Sequence, residues 1–199
     1  MWKDANPSFY FIGKGRVIKV HFYTIDIDYI KYLYSFDTEV YFNKERHDYE
    51  NKPYVGTIIY NDSTPYFVPL TSAKPKHLKL KNTGIDYLVI YENIKQSEIH
   101  KKDIIKKMDN GEIKKLLSVV DLRKAIPVAE GCYHKIDIRT HKNRDLLAKE
   151  YEFCKKKKDT IFNKTRSIIN QQKKTKYIKF AYCKYDLLEE KMNEWNGSH

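Results

Sequence analysis

Residues 54–72 read YVGTIIYNDSTPYFVPLTS. Two apolar, β-branched and aromatic runs, "YVGTIIYND" and "TPYFVPLT", flank the polar turn "NDST". That pattern predicts a β-hairpin. Its second strand runs through Pro69-Leu70 into two adjacent hydroxyls, Thr71 and Ser72. Lys74, Lys76, His77, Lys79 and Lys81 then follow within nine residues. A buried strand that ends in hydroxyls and a dense positive field suggests both a fold and a function.

Outward from the hairpin, "VIKVHFYTIDID" places Val20, Phe22, Ile25 and Ile27 roughly as a strand does. "DYIKYLYSFD" carries Tyr29, Ile30, Leu33 and Phe36 at helical spacing, which predicts a short helix. A polar loop runs through Asn51, and "DYLVIYE" reads as a further strand. Ile99, Ile104, Ile105 and Met108 predict an amphipathic helix over 98–109, stopped by Asp109-Asn110-Gly111. "LLSVVDLRKAIPVA" reads as a strand ending at Pro127, with "YHKIDIR" as its partner. One helix is predicted from about Asn143 to Gln172, with Leu147, Tyr151, Cys154, Ile161, Thr165 and Ile168 on one stripe. "KYIKFAYCKY" reads as a returning strand. Asp186 and Glu189 have capping-box spacing for a last helix. The sum is an α+β fold, a mainly antiparallel sheet with helices against it.

The chain has 199 residues, enough for one domain with a proper core. A 41% hydrophobic content and 17 tyrosines argue against disorder. No apolar run approaches membrane-span length, and the Phe9–Ile12 patch is too short for a signal peptide. The expected address is the cytoplasm of a prokaryote. Cys132, Cys154 and Cys183 are far apart and form no CxxC, so free thiols are expected, with neither disulfide nor zinc. The net charge of +12 is lopsided. Residues 1–99 hold 13 basic and 12 acidic side chains, whereas residues 100–199 hold 25 and 14. Such an excess points to a polyanion, and nucleic acid is the commonest one.

Several chemistries lack their motifs. There is no G-x-S-x-G elbow, no glycine-rich P-loop, no HExxH and no EF-hand loop, so no metal or other cofactor is implied. A metal-independent ribonuclease needs less. It must activate the ribose 2′-OH, hold the phosphate in line and neutralise developing charge, tasks that hydroxyls, a tyrosine and a lysine can share. Lysine suits phosphate as a point charge. A DNA- or RNA-binding protein without catalysis would share the charge and the tyrosines.

"HFYTIDIDYIKYLYSFD", "DYENKPYVG", "PYFVPLTSAKPKH", "VVDLRKAIPV" and "YDLLEEKMNEW" occur in the order that resembles the ToxN/AbiQ family. These are endoribonuclease toxins of type III toxin–antitoxin systems that act in phage abortive infection. The resemblance covers roughly residues 20 to 195, with the "PLTS" hydroxyl pair followed by "xK" as its most specific element. It implies a strongly twisted, partly barrel-like antiparallel sheet similar to the Kid and MazF toxins, with surrounding helices. It implies sequence-selective RNA cleavage to 2′,3′-cyclic phosphate and 5′-hydroxyl ends. The implied antitoxin is a small RNA from a tandem repeat, folded as a pseudoknot, processed by the toxin and bound in a closed protein–RNA assembly. A Kid/MazF-like toxin neutralised by a protein stands as the alternative. By resemblance the catalytic residues are Ser72, Thr71, Lys74 and Tyr49, the last in "DYEN", where its phenol would donate or relay a proton. Lys52, in the order Lys52-Pro53, takes the place of the family's lysine after that tyrosine. Lys52, Lys76, His77, Lys79, Lys81 and Tyr29 are the expected RNA contacts. Residues 1–18 read as an N-terminal extension and 19–199 as the single toxin domain.

Overall fold

The computed structural model describes residues 20–42, 52–61 and 64–198. Strand β1 (Val20–Ile25) leads into helix α1 (Ile27–Phe36). β2 (Tyr54–Asn61) and β3 (Thr64–Ser72) are the expected hairpin, antiparallel from Tyr54↔Pro69 to Asn61↔Thr64. Asp62 and Ser63 of its turn lie outside the described residues. A 3₁₀ turn at Pro75–Lys79 follows, then β4 (Tyr87–Ile94), β5 (Ile105–Lys107) and β6 (Ile113–Asp121). After β6 come β7 (Ile126–Pro127), β8 (Tyr133–Lys135), and helices α2 (Arg144–Lys156), α3 (Lys158–Thr175) and α4 (Tyr185–Ser198).

The strands form one antiparallel sheet in the order β4-β6-β3-β2-β1-β8, with β5 beside β6 and β7 beside β3. Among the described residues, strands β4 and β8, at the two ends of that order, do not pair with each other, so the sheet is open there. Helix α1 buries Tyr29, Ile30 and Leu33 as its spacing predicts but leaves Phe36 exposed, and its Tyr29 meets Trp195 of α4 edge to face at 5.3 Å. Ile27, read as strand, starts that helix instead.

Buried tyrosines carry much of the core, and three of them place their hydroxyls on acceptors. Tyr29 donates to the Pro127 carbonyl at 3.0 Å, Tyr185 to that of Arg123 at 3.0 Å, and Tyr66 to Glu189 Oε1 at 2.6 Å. An unpaired buried hydroxyl would cost about 1–3 kcal/mol, so these bonds let large amphipathic rings serve as core. All three cysteines are buried and free, as expected. Among the described residues, no helix is long and apolar enough to cross a membrane.

Six further readings need correction. "LLSVVDLRKAIPVA" is not one strand, because a 3₁₀ turn at Leu122–Lys124 divides it into β6 and β7. Residues 98–109 are not a helix. Gly111, at φ 81°, turns the chain so that Ile105–Lys107 pairs with β6, and pairing across this short hairpin overrides the helical periodicity. "YHKIDIR" pairs through Tyr133–Lys135 with β1, not with the strand before it. The predicted long helix breaks at Lys157 (φ −104°, ψ 15°), inside the run of four lysines at 155–158, into α2 and α3. The break lets α2 pack on β1 and β6 while α3 packs on β2, which one straight rod cannot do. "KYIKFAYCKY" is not a strand, because Lys176 (φ 55°) and Ala181 (φ 63°) adopt left-handed conformations that interrupt it. Finally, Asp186 lies inside the first turn of α4, and its carboxylate takes Lys176 while Glu189 takes Tyr66 and Lys173. No capping box forms there.

Gly56 sits where β2 passes the Tyr23 and Phe67 rings. A Cβ at this position would overlap Tyr23 and lie 2.9 Å from Phe67 Cε1. Gly56→Ala should therefore destabilise the fold by about 1–3 kcal/mol through overpacking. Urea denaturation checks this; an unchanged midpoint contradicts the packing described.

Candidate active site

Strand β3 is buried continuously from Tyr66 to Thr71 and becomes exposed at Ser72. Its pairing with β6 continues to that end, Leu70↔Val120, Thr71↔Val119, Ser72↔Ser118. The hydroxyl pair is therefore held in register by the sheet and carried to the surface on a rigid element.

Thr71 and Ser72 open into a cleft of about 270 Å³. Lys52 and Pro53 at the entry to β2, Tyr41 after α1, and Ser118 on β6 form part of its wall. His141, Lys142 and Asn143 line it just before α2, with Leu146, Leu147 and Glu150 from that helix. The Lys52 ammonium lies over the Tyr41 ring, 3.0 Å from its centroid, a cation–π contact that holds the charge at the rim. His141 Nδ1 accepts the Asn143 N–H at 3.0 Å, which leaves its other ring nitrogen as the one able to reach a ligand. The N-terminal end of α2 abuts the cleft, and its dipole adds positive potential there. Hydroxyls at a strand end, two lysines, a histidine and a helix start suit a phosphodiester.

Two buried polar groups floor the cleft. Glu150 is 3% exposed, and burial pushes its carboxyl up to about 7, while the neighbouring Ser118 hydroxyl pulls it back. That hydroxyl is itself buried and makes no hydrogen bond of regular geometry among the described residues. A carboxyl half-neutral near pH 7 spares a bound phosphate the full repulsion of an anion.

The predicted site residues divide. Thr71, Ser72 and Lys52 come together in the cleft. Lys74, Lys76, Lys79 and Lys81 are exposed on and around the 3₁₀ turn beyond it and do not line it. His77 is buried; its Nδ1 accepts the Lys74 backbone N–H at 3.2 Å. Burial, then Lys76 and Lys74, hold its pKa below the usual value, and the ring fixes the turn. Tyr29 is wholly buried in the core and has no face to offer RNA. Tyr49 lies outside the described residues. Sequence reading missed Tyr41, Ser118, His141, Lys142, Asn143 and Glu150. Only Glu150 left a local signal, a carboxylate three residues after Leu147 and four before Cys154 on an apolar stripe.

The raised Glu150 pKa has a stability consequence. Between pH 4.5, its ordinary value, and about 7, the unfolded chain releases a proton that the folded chain keeps. The contribution of neutral Glu150 is thus full below that window, falls as pH rises through it, and is flat above. The size is about 3 kcal/mol. Glu150→Gln should gain stability relative to the unsubstituted chain as pH is raised from about 4.5 to about 8, read from denaturant midpoints. A gap that stays constant with pH contradicts a buried, proton-holding Glu150.

Comparison with known proteins bears on what such a cleft does. The model of the family described as toxin ToxN of type III toxin–antitoxin systems matches residues 21–193. Endoribonuclease ToxN of Bacillus thuringiensis subsp. kurstaki is 30% identical over 186 residues, which cover 87% of this chain and 83% of that protein. One similar solved structure concerns type III toxin–antitoxin systems and selective toxin inhibition by a non-coding RNA pseudoknot. It has 28% identity and a TM-score of 0.66, covering 88% of this chain and 97% of its own. Another concerns a bacterial antiviral system regulated by a processed non-coding RNA, at 26% identity and a TM-score of 0.64, covering 87% and 98%.

Proposed function

The chain belongs to the ToxN family of type III toxin–antitoxin toxins, and from that premise we propose that it is an endoribonuclease that cuts RNA in the Ser72 cleft, is restrained by a pseudoknot RNA, and serves antiviral defence. The observation that carries the reading is the delivery of Thr71 and Ser72, by a strand buried up to its last residue, into a cleft that also holds Lys52, His141 and Lys142.

The proposed reaction is metal-independent transesterification. The ribose 2′-oxygen attacks the adjacent phosphorus and gives up its proton to a base. The P–O5′ bond breaks, and the leaving oxygen takes a proton. The products are a 2′,3′-cyclic phosphate and a 5′-hydroxyl. Ser72 donates its hydroxyl proton to a non-bridging oxygen, with Thr71 assisting. Lys52 and Lys142 neutralise the charge that develops there. Lys74 stands just outside the cleft, where its flexible side chain can reach a phosphate at the mouth; Tyr49 keeps its role as proton donor or relay. Lys76, Lys79 and Lys81 hold the strand beyond the cut.

Three further expectations belong to the same reading. The toxin domain is residues 19–199, acting in the cytoplasm. The antitoxin RNA comes from a tandem repeat, is processed by the toxin and closes an assembly with it. The open sheet is the twisted half-barrel of Kid and MazF, supported by the register shifts in the β2–β3 and β4–β6 pairs, since such irregularities bend strands.

Ser72→Ala should keep the fold, because the side chain is exposed, and slow RNA cleavage by about 10²–10³ through loss of one transition-state donor. Unchanged cleavage sinks the assignment. RNA affinity should fall about a hundredfold from roughly 50 to 200 mM salt if about five phosphates are neutralised on a single strand. A flat salt response sinks the basic cleft, and salt-sensitive binding without cleavage by either protein leaves a binding module.

A further inference from the structure

We propose that the exposed segment between α3 and α4 is a second RNA-contact surface, separate from the cleft, that stacks unpaired bases of the substrate RNA on Phe180 and Tyr177. It rests on the reading of the chain as an RNA-cutting enzyme and adds a surface that this reading does not require.

Five large hydrophobic side chains are exposed among the described residues, and three of them fall within four positions: Tyr177 at 68%, Ile178 at 44% and Phe180 at 94%. The display is built into the backbone. The left-handed residues Lys176 and Ala181 bracket the segment, turning it out of α3 and back toward the core. Its ends are fastened. Gln172 donates to the Cys183 carbonyl and accepts the Tyr185 N–H, both at 2.9 Å. Lys176 pairs with Asp186 at 2.8 Å, and the Tyr182 hydroxyl donates to Asp86. Aromatic faces on an anchored frame lose little entropy when a base stacks on them.

The charge says what covers them. Residues 173–185 contain five lysines and no acid. Lys173 and Lys176 are paired with α4 carboxylates, whereas the exposed ammonium groups of Lys174, Lys179 and Lys184 form no ion pair among the described residues. Protein-docking patches are depleted in lysine at their centre. Aromatics interleaved with lysines, of which Lys174 and Lys179 carry no acidic counter-charge among the described residues, match unpaired RNA, bases on the rings and phosphates on the ammonium groups. A shallow hollow alongside is lined in part by Gln171, Thr175, Tyr177 and Lys179, and none of its residues lines the cleft.

The test uses the full chain and a fluorescent single-stranded RNA of about 20 nucleotides, 2′-O-methylated throughout so that no 2′-hydroxyl is free to attack. Phe180→Ala and Tyr177→Ala should each weaken binding about tenfold. Lys174→Gln with Lys179→Gln should flatten the salt dependence by about 0.7 per lost phosphate contact. Cleavage of a short RNA that fills only the cleft should be unaffected by Phe180→Ala. Unchanged binding by both aromatic variants overturns the proposal while the cleft reading stands. A dimer-to-monomer shift of the RNA-free protein on Phe180→Ala overturns it in favour of a self-association patch. Failure of the unsubstituted protein to bind the RNA removes both this surface and the ribonuclease reading beneath it.

Discussion

Strand β3 must be core along its length and solvent-exposed at its end. It pairs with β2 on one side and with β6 and β7 on the other, so its position is fixed along nearly all of its nine residues. A buried strand paired on both sides cannot slip by one residue without turning its apolar face outward. That constraint sets where Thr71 and Ser72 emerge. The site's precision is thus inherited from the hydrophobic core, and the loops around it supply only charge.

The same economy governs the polar groups. The rings of Tyr29, Tyr185 and Tyr66 serve as core because their hydroxyls reach carbonyls or Glu189. Glu150 and Ser118 lie under the cleft with weaker satisfaction, and there burial raises the carboxyl's pKa. Charge is kept outside this floor, on Lys52 at the rim and on Lys142 before α2. A basic rim over a near-neutral floor attracts phosphate without placing a full anion beneath it.

What the sequence disclosed follows from the range of the interactions involved. The β2–β3 hairpin, α1 and the Thr71–Ser72 pair were legible because alternation, helical spacing and adjacent hydroxyls are local signals. Residues 98–109 were not, since helical spacing of Ile99, Ile104, Ile105 and Met108 coexists with a turn at Gly111 whose pairing partner is β6. Segment 176–185, rich in aromatic residues, reads as a strand, yet two left-handed residues remove it from the sheet. The far wall of the cleft was illegible for a similar reason. Ser118, His141, Lys142 and Glu150 meet Ser72 only through sheet order and the packing of α2. The lysines at 74–81 show the converse, since closeness in sequence to Ser72 does not bring them into the cleft.

The central claim is that a strand-borne hydroxyl pair in a basic cleft cuts RNA through its own 2′-hydroxyl. The most direct measurement is end-group analysis of a mixed RNA pool treated with the purified protein in excess EDTA. The account predicts 2′,3′-cyclic phosphate and 5′-hydroxyl ends. Cleavage that stops in EDTA, or products ending in 3′-hydroxyl and 5′-phosphate, would contradict it.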